Sequence, residues 1–278
     1  MLLGPNTCHG IFIIRGTAGG GKSTLVTIVE KILGEENTAY LRTKHLTGRF
    51  ETSAFIGKRV LVGKDVPGDT LTENGARLLK SLVGGDLLQA EIKYNPTKQA
   101  IRGDYHVIIA SNNRLRIALD GDEEAWRRRL LVVDFEKPKP SKPIPDFAER
   151  LVAEEAAGIL NWLIQGALCY RADMNKRGML ALSERQQQRV ATLLHDSDSV
   201  LSFVEQRLAK REKSDVSSEE LLLGYHALCT EKKWRPVSGH HFQVRLPDLL
   251  CERFTICRRN DIMREGKAVR GYKNLALN

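Results

Sequence analysis

The sequence predicts an α/β protein whose central parallel sheet lies between layers of helices, followed by smaller portions of different character. Three observations carry this. Four short, continuous apolar runs rich in β-branched residues, Gly10–Ile14, Arg59–Val62, Val107–Ala110 and Leu130–Val133, read as buried parallel strands. Helical spacing recurs between and after them, as a layered α/β order requires. A glycine-rich stretch also joins the first run to a predicted helix over Ser23–Leu33 that stops at Gly34.

That stretch, Gly16-Thr17-Ala18-Gly19-Gly20-Gly21-Lys22-Ser23-Thr24, is a complete phosphate-binding loop in its proper setting of strand, loop and helix. Glycines let backbone N–H groups turn toward phosphate oxygens at the positive end of the helix. Lys22 reaches the β- and γ-phosphates, and the Ser23 hydroxyl ligates Mg²⁺. The expected ligands are therefore ATP and Mg²⁺.

Further along, Thr70-Leu-Thr-Glu73 has capping-box spacing, and Leu71, Leu78, Leu79 and Leu82 share one helical face before Gly84-Gly85 ends it. A P-loop ATPase needs an acid at the end of a neighbouring strand to hold the metal and its water shell. Asp65, after Arg59–Lys64, is that residue, with Asp69 as second choice. The run Tyr105–Ala110 ends in Ser111-Asn112-Asn113, which puts an amide at the same sheet edge to orient the attacking water. A turn position explains an asparagine equally well, and its place after a buried strand is what singles Asn112 out.

Trp126-Arg127-Arg128-Arg129 precedes the strand Leu130–Phe135. Three adjacent guanidiniums cannot all serve one local carboxylate, and an arginine supplied to a neighbouring subunit stabilises charge on a transferring phosphoryl group. Arg128 is the first choice for that finger and Arg129 the second, since their strand ends at the sheet edge near the nucleotide. A solvated basic turn is the alternative.

Four of the nine prolines fall in Lys137–Asp146, which reads as a linker. Helical spacing over Phe147–Gln165 and Ser183–Leu194 then suggests a helical lid. Helices over Ser197–Lys210, Ser218–Lys232 and Gly239–Arg253, with strands Phe254–Arg258 and Gly271–Leu277, describe a winged helix-turn-helix whose wing turns at Arg264–Lys267. The domain reading is 1–136 for the ATPase core, 137–196 for linker and lid, and 197–278 for the winged helix.

With 278 residues, 42% hydrophobic and 28% charged, the chain has the composition of a soluble globular protein. No apolar run approaches the ~20 residues of a membrane span, so no membrane partner is expected. The start, Met-Leu-Leu-Gly-Pro-Asn, lacks the basic region and apolar core of a secretory signal, so a cytoplasmic location is expected. Five scattered cysteines imply no disulfide framework, and His240, His241, Cys251 and Cys257 have spacings that fit no common zinc site. The formal charge of +9 points to a polyanionic partner. Residues 253–273 carry seven Lys or Arg, including Arg258, Arg259 and Lys267, against Asp261 and Glu265. A solvated basic face is the other account of that run.

In this order the motifs resemble those of the superfamily 3 helicases, especially the helicase portion of phage and plasmid primase–helicases and poxvirus-type nucleoside triphosphatases. Leu46-Thr-Gly-Arg-Phe50 with Gly57–Asp65, Leu82-Val-Gly-Gly-Asp86 through Lys93-Tyr94, Ile108–Asn112, Arg128-Arg129 with Val133-Asp-Phe135, and Gly158–Trp162 carry the resemblance, with Leu222–Leu277 similar to the family's winged helix.

The resemblance implies an AAA+-like P-loop core in a homo-oligomeric ring, normally a hexamer, hydrolysing ATP at subunit interfaces and drawing single-stranded DNA through its pore, normally 3′ to 5′. Forked duplex is the implied substrate, and a primase or replication initiator in a virus, phage, plasmid or mobile element the implied partner, within the host cell cytoplasm. Glu91–Arg102, with Lys93, Lys98 and Arg102, matches the pore hairpin that grips the DNA backbone.

Two departures stand out. Family members often show an acid where this chain has Lys64, which leaves the catalytic base open. The chain also starts fifteen residues before Gly16, too few for the primase module or helical collar such proteins carry upstream, so it reads as an excised ATPase portion or a short relative. A DNA-binding ATPase switch or loader without unwinding activity is the alternative function. A small-molecule kinase needs neither the arginines nor the basic charge.

Overall fold

The computed structural model describes every residue except 69–70, 113–114 and 120–121. Asp69, Thr70 and Asn113 thus lie outside the described residues. The chain forms two compact units, Met1–Ile117 with Glu124–Leu193, and Ala118–Glu123 with Leu194–Asn278.

In the first unit the elements run β1 (Ile11–Gly16), α1 (Lys22–Leu33), β2 (Thr38–Tyr40), β3 (Val60–Gly63), α2 (Glu73–Val83), β4 (Leu87–Ala90), β5 (Gln99–Arg102), β6 (His106–Ser111), α3 (Glu123–Arg127), β7 (Leu130–Phe135), α4 (Phe147–Arg177) and α5 (Glu184–Ser197), α5 finishing in the second unit. Five strands make one parallel sheet in the order β2-β3-β6-β1-β7. The four expected strands are its four longest members. Ile14, Val60, Val62, Ile108 and Ala110 pack with Val26 of α1. Residues of opposite parity, Ile11, Ile13, Leu61, Val107 and Ile109, are equally buried. Both faces of the sheet are therefore covered, as crossover connections require.

Three local readings need correction. The expected capping box starting at Thr70 gives way to Thr72 as N-cap of α2, its hydroxyl accepting from Gly75 N at 3.4 Å. The helix read from Phe147 to Gln165 extends to Arg177, with non-helical backbone at Glu155 (φ −127°, ψ 18°) and packing of α4 on α1. The segment Glu91–Arg102 is the tip and second arm of a β4–β5 antiparallel hairpin.

In the second unit the order is α6 (Ser199–Arg207), β8 (Leu208–Ser217), α7 (Ser218–Glu231), α8 (Gly239–Phe254), β9 (Arg259–Arg264) and β10 (Lys267–Leu277), with the strands antiparallel in the order β8-β10-β9. Phe203, Leu221, Tyr225, Phe242, Leu250 and Tyr272 centre its own core. Tyr225 stacks on Phe242 at 4.8 Å between ring centroids and shares a 2.7 Å hydrogen bond with Ser199.

The three helices and the turn at Glu265-Gly266 agree with the sequence reading, and a true capping box, Ser217 with Glu220, opens α7. The strand expected over Phe254–Arg258 is absent. α8 runs to Phe254, Thr255 takes a left-handed conformation (φ 57°), and β9 begins at Arg259. Helix α6 also stops short of Lys210, because residues 208–217 pair with β10 as an edge strand.

Candidate functional site

The phosphate loop connects β1 to α1. Gly16 has φ +141°, and a Cβ there would fall 2.1 Å from the Phe135 carbonyl oxygen, so only glycine fits. Gly21 is the N-cap of α1 and offers no side-chain cap, and the first turn carries no acid. The first N–H groups and the positive end of the helix dipole thus face the loop without a competing carboxylate. Lys22 is only 4% exposed. Its Nζ donates to the carbonyls of Gly16 (2.9 Å) and Thr17 (2.7 Å), which holds the ammonium within the cradle. Ser23 is exposed at the second position of the helix.

The sheet brings two further sequence-predicted residues together. Asp65 follows β3 with φ +50°, and Asn112 follows β6. The Asn112 side-chain N–H donates to Asp65 Oδ1 at 3.1 Å. Beside them, Val66 N donates to Ala110 O at 2.9 Å and Ser111 Oγ to Val66 O at 2.6 Å, which locks the two strand ends together. β3, β6 and β1 are adjacent and parallel, so loop, carboxylate and amide share the C-terminal edge of the sheet. Asp65 and Ser23 are the residues suited to a hard divalent cation that keeps most of its waters. Among the described residues no group of three or more His, Cys, Asp or Glu could hold a metal by itself.

Lys64, standing where an acid was expected, is engaged elsewhere. Its Nζ pairs at 2.6 Å with Glu30 of α1, tying the end of β3 to the helix behind the phosphate loop.

Arg128 and Arg129 are not part of this edge. Ile11 N donates to Arg129 O at 2.7 Å, so both arginines sit where β1 and β7 begin. The length of β1, about 17 Å at 3.3 Å per residue, separates them from the loop of their own chain. Arg128 is exposed, and Arg129 Nη1 folds back onto Ala125 O at 2.8 Å. Nearby His9 has its pKa lowered by burial first and by these two guanidiniums next.

The three hairpin cations differ in state. Lys98 pairs with Glu91 at 2.8 Å, as does Arg49 at 2.6 Å, and these donors hold the Glu91 carboxyl at about 2. Lys93 lies 4.9 Å over the ring of Tyr94, which is 93% exposed at the tip. Arg102 is exposed on β5.

In the second unit, Thr255–Asp261 with Lys273 and Asn274 line an open concavity of about 730 Å³. Arg259 and Lys273 both pair with Asp261 at 2.9 Å, keeping that carboxyl far below its ordinary range. Arg264 is fastened to Asp215 and Glu220. Of the predicted cations, Arg258 and Lys267 have no acidic partner among the described residues.

Sequence reasoning missed a second wall of the loop. Phe135 O accepts from Thr17 N at 3.4 Å, and Glu136 is held by Arg185 and Arg189 of α5. Asp134 is shared between Arg15 (2.6 Å) and Arg189 (2.8 Å). The only signal was the position of Asp134–Glu136 at the end of a strand parallel to the loop strand.

Fold and site together define a mixed α/β protein with a P-loop-like core on a five-stranded parallel sheet. A family model described as a family of unknown function (DUF5906) matches residues 14–129. Among solved structures, the chain is similar to the apo A form of the NrS-1 C-terminal region (16% identity, 96% of this chain and 67% of that chain, TM-score 0.48). It is also similar to JCV helicase bound to a thiazolopyridinyl-phenoxyphenyl acetamide (14% identity, 89% and 57%, TM-score 0.37).

Proposed function

We propose that this chain is an ATP-dependent DNA helicase motor of the superfamily 3 type, acting in replication of a virus, phage, plasmid or mobile element. The observation that carries the reading is the Asn112–Asp65 hydrogen bond at the sheet edge shared with the phosphate loop. Loop N–H groups and Lys22 bind the polyphosphate, and Asp65 with Ser23 holds Mg²⁺, which neutralises phosphate charge when bound. Asn112 orients the attacking water. Arg128 or Arg129, a strand length from its own loop, acts on the nucleotide of the next subunit in a homo-oligomeric, hexameric ring.

DNA binding falls to the β4–β5 hairpin, through Lys93 and Arg102, and to the second unit read as a winged helix, through Arg258 and Lys267. Cations of this kind follow phosphates and read no sequence. Helix α4 and the start of α5 serve as the lid.

The test is ATP turnover with and without single-stranded DNA, together with unwinding of a forked duplex. DNA-stimulated hydrolysis with strand separation is expected. Hydrolysis and DNA binding without unwinding would identify a switch or loader, and absence of nucleotide binding would remove the loop from the account.

A further inference from the structure

Residues 136–140, Glu-Lys-Pro-Lys-Pro, lie against the phosphate loop. A Cβ placed on Gly19 would fall 3.0 Å from Lys139 Cγ and 3.1 Å from its Cδ, and one placed on Gly20 would fall 3.2 Å from Lys137 O. The methylene stem of Lys139 therefore lies along the middle of the loop, with the ammonium two bonds beyond Cδ. Lys139 is exposed and has no acidic partner among the described residues.

The segment is built to stay there. Pro138 and Pro140 fix their own φ, and each restricts the lysine before it to extended backbone. Its upstream end is anchored twice: Phe135 O accepts from Thr17 N, and Glu136 accepts from Arg185 at 3.2 Å and Arg189 at 3.3 Å. Two guanidiniums on Glu136 also offset a carboxylate that would repel a phosphate or capture Lys139. A stiff strap delivering a cation to a phosphate cradle loses little conformational entropy on binding.

We propose that the Glu136–Pro140 strap is part of the nucleotide site, and that Lys139 supplies a second cation, from the same chain, to the bound polyphosphate alongside Lys22. This rests on the nucleotide-binding reading of the loop.

The experiment measures binding of a fluorescent methylanthraniloyl-ATP, and of ADP by competition, to the full chain with Mg²⁺ over a series of salt concentrations. Lys139→Gln is expected to weaken both nucleotides about 10-fold, in line with removal of one charge-assisted hydrogen bond at an exposed site. It also flattens the salt dependence, and Lys139→Arg restores both. Because Lys139 is exposed, the variant keeps the fold, checked by its thermal transition. If Lys139→Gln binds like the parent while Lys22→Ala does not bind, the strap proposal is overturned and the loop reading stands. If the parent chain binds neither nucleotide, both fall.

Discussion

The side-chain amide of Asn112 reaches the carboxylate of Asp65 across adjacent strand ends at 3.1 Å, joining residues from two separate parts of the sequence. An amide donor there fixes one carboxylate oxygen and leaves the other for a metal-bound water. Asp65→Ala is expected to reduce ATP turnover by at least about 100-fold, as loss of a metal-holding group does, while part of the nucleotide affinity survives in the phosphate cradle. Asn112→Ala acts in the same direction, and the double variant loses less than the product of the two. Kinetics of all three measure this. Full activity of Asp65→Ala with an inactive Asp69→Ala would move the metal site.

Lys22 donates to two loop carbonyls from a nearly buried position. Lys22→Ala is expected to lower turnover by about 100-fold or more. The fold survives, since the sheet core does not depend on this side chain. Steady-state ATPase assays beside circular dichroism check it, and near-parental turnover would refute the assignment.

Arg128 lies at the opposite sheet edge from the loop of its own chain, so under the proposed function it serves the nucleotide of a neighbouring subunit. Arg128→Ala and Lys22→Ala are each expected to be nearly inactive alone, yet mixing them with nucleotide and single-stranded DNA present restores part of the activity. Mixed interfaces pair an intact loop with an intact arginine. No recovery in demonstrated mixed oligomers counts against catalysis between subunits.

The basic run of the second unit is divided by its ion pairs. Arg258→Glu with Lys267→Glu is expected to weaken DNA binding across all sequences and flatten its salt dependence, by a slope of about 0.7 to 0.9 for each phosphate no longer neutralised. Arg259→Glu has a smaller effect on DNA affinity, because Asp261 already holds that guanidinium. Titrations at several salt concentrations separate these cases, and equal effects of all three changes would mean that Arg259 leaves Asp261 to bind DNA.

His106 opens β6, is partly buried, and hydrogen-bonds Gly4 O through Nε2 at 2.8 Å. Burial is the largest cause of its pKa falling from 6.5 to about 4. The unfolded chain therefore takes up the proton first, and the first unit loses stability as pH falls from about 6.5 to about 4. Above that window the contribution is complete. Thermal transitions of the parent and His106→Gln across pH 4 to 7 test this, since the variant lacks that part of the slope.

Much of the first unit was legible because its strands are unbroken β-branched runs buried on both faces, and because Gly16 to Ser23 has one physical use. The strand Thr38–Tyr40 was not legible, being three residues at a sheet edge with Tyr40 exposed. The sequence reading carried a helix on to Lys210 and placed no strand over Leu208–Ser217, since an edge strand exposing Lys210, Arg211, Glu212 and Lys213 shows no apolar alternation. Asp65 and Asn112 could be placed at one edge from sequence, but their hydrogen bond depended on strand order. Proline composition identified 137–146 as irregular and could not say that its first residues lie on the phosphate loop.

Strand order also sets a constraint on how the chain acquires its shape. Ile11 must align with Val107 on one side and with Leu130 on the other. During synthesis the apolar segment Ile11–Ile14 emerges before both its neighbours, which are made about a hundred residues later. Such distant pairings fold slowly and leave the unpaired strand exposed to aggregation. Fragments ending before Leu130 therefore leave β1 without its partner on one side, and soluble expression of the first unit requires the chain to continue through β7.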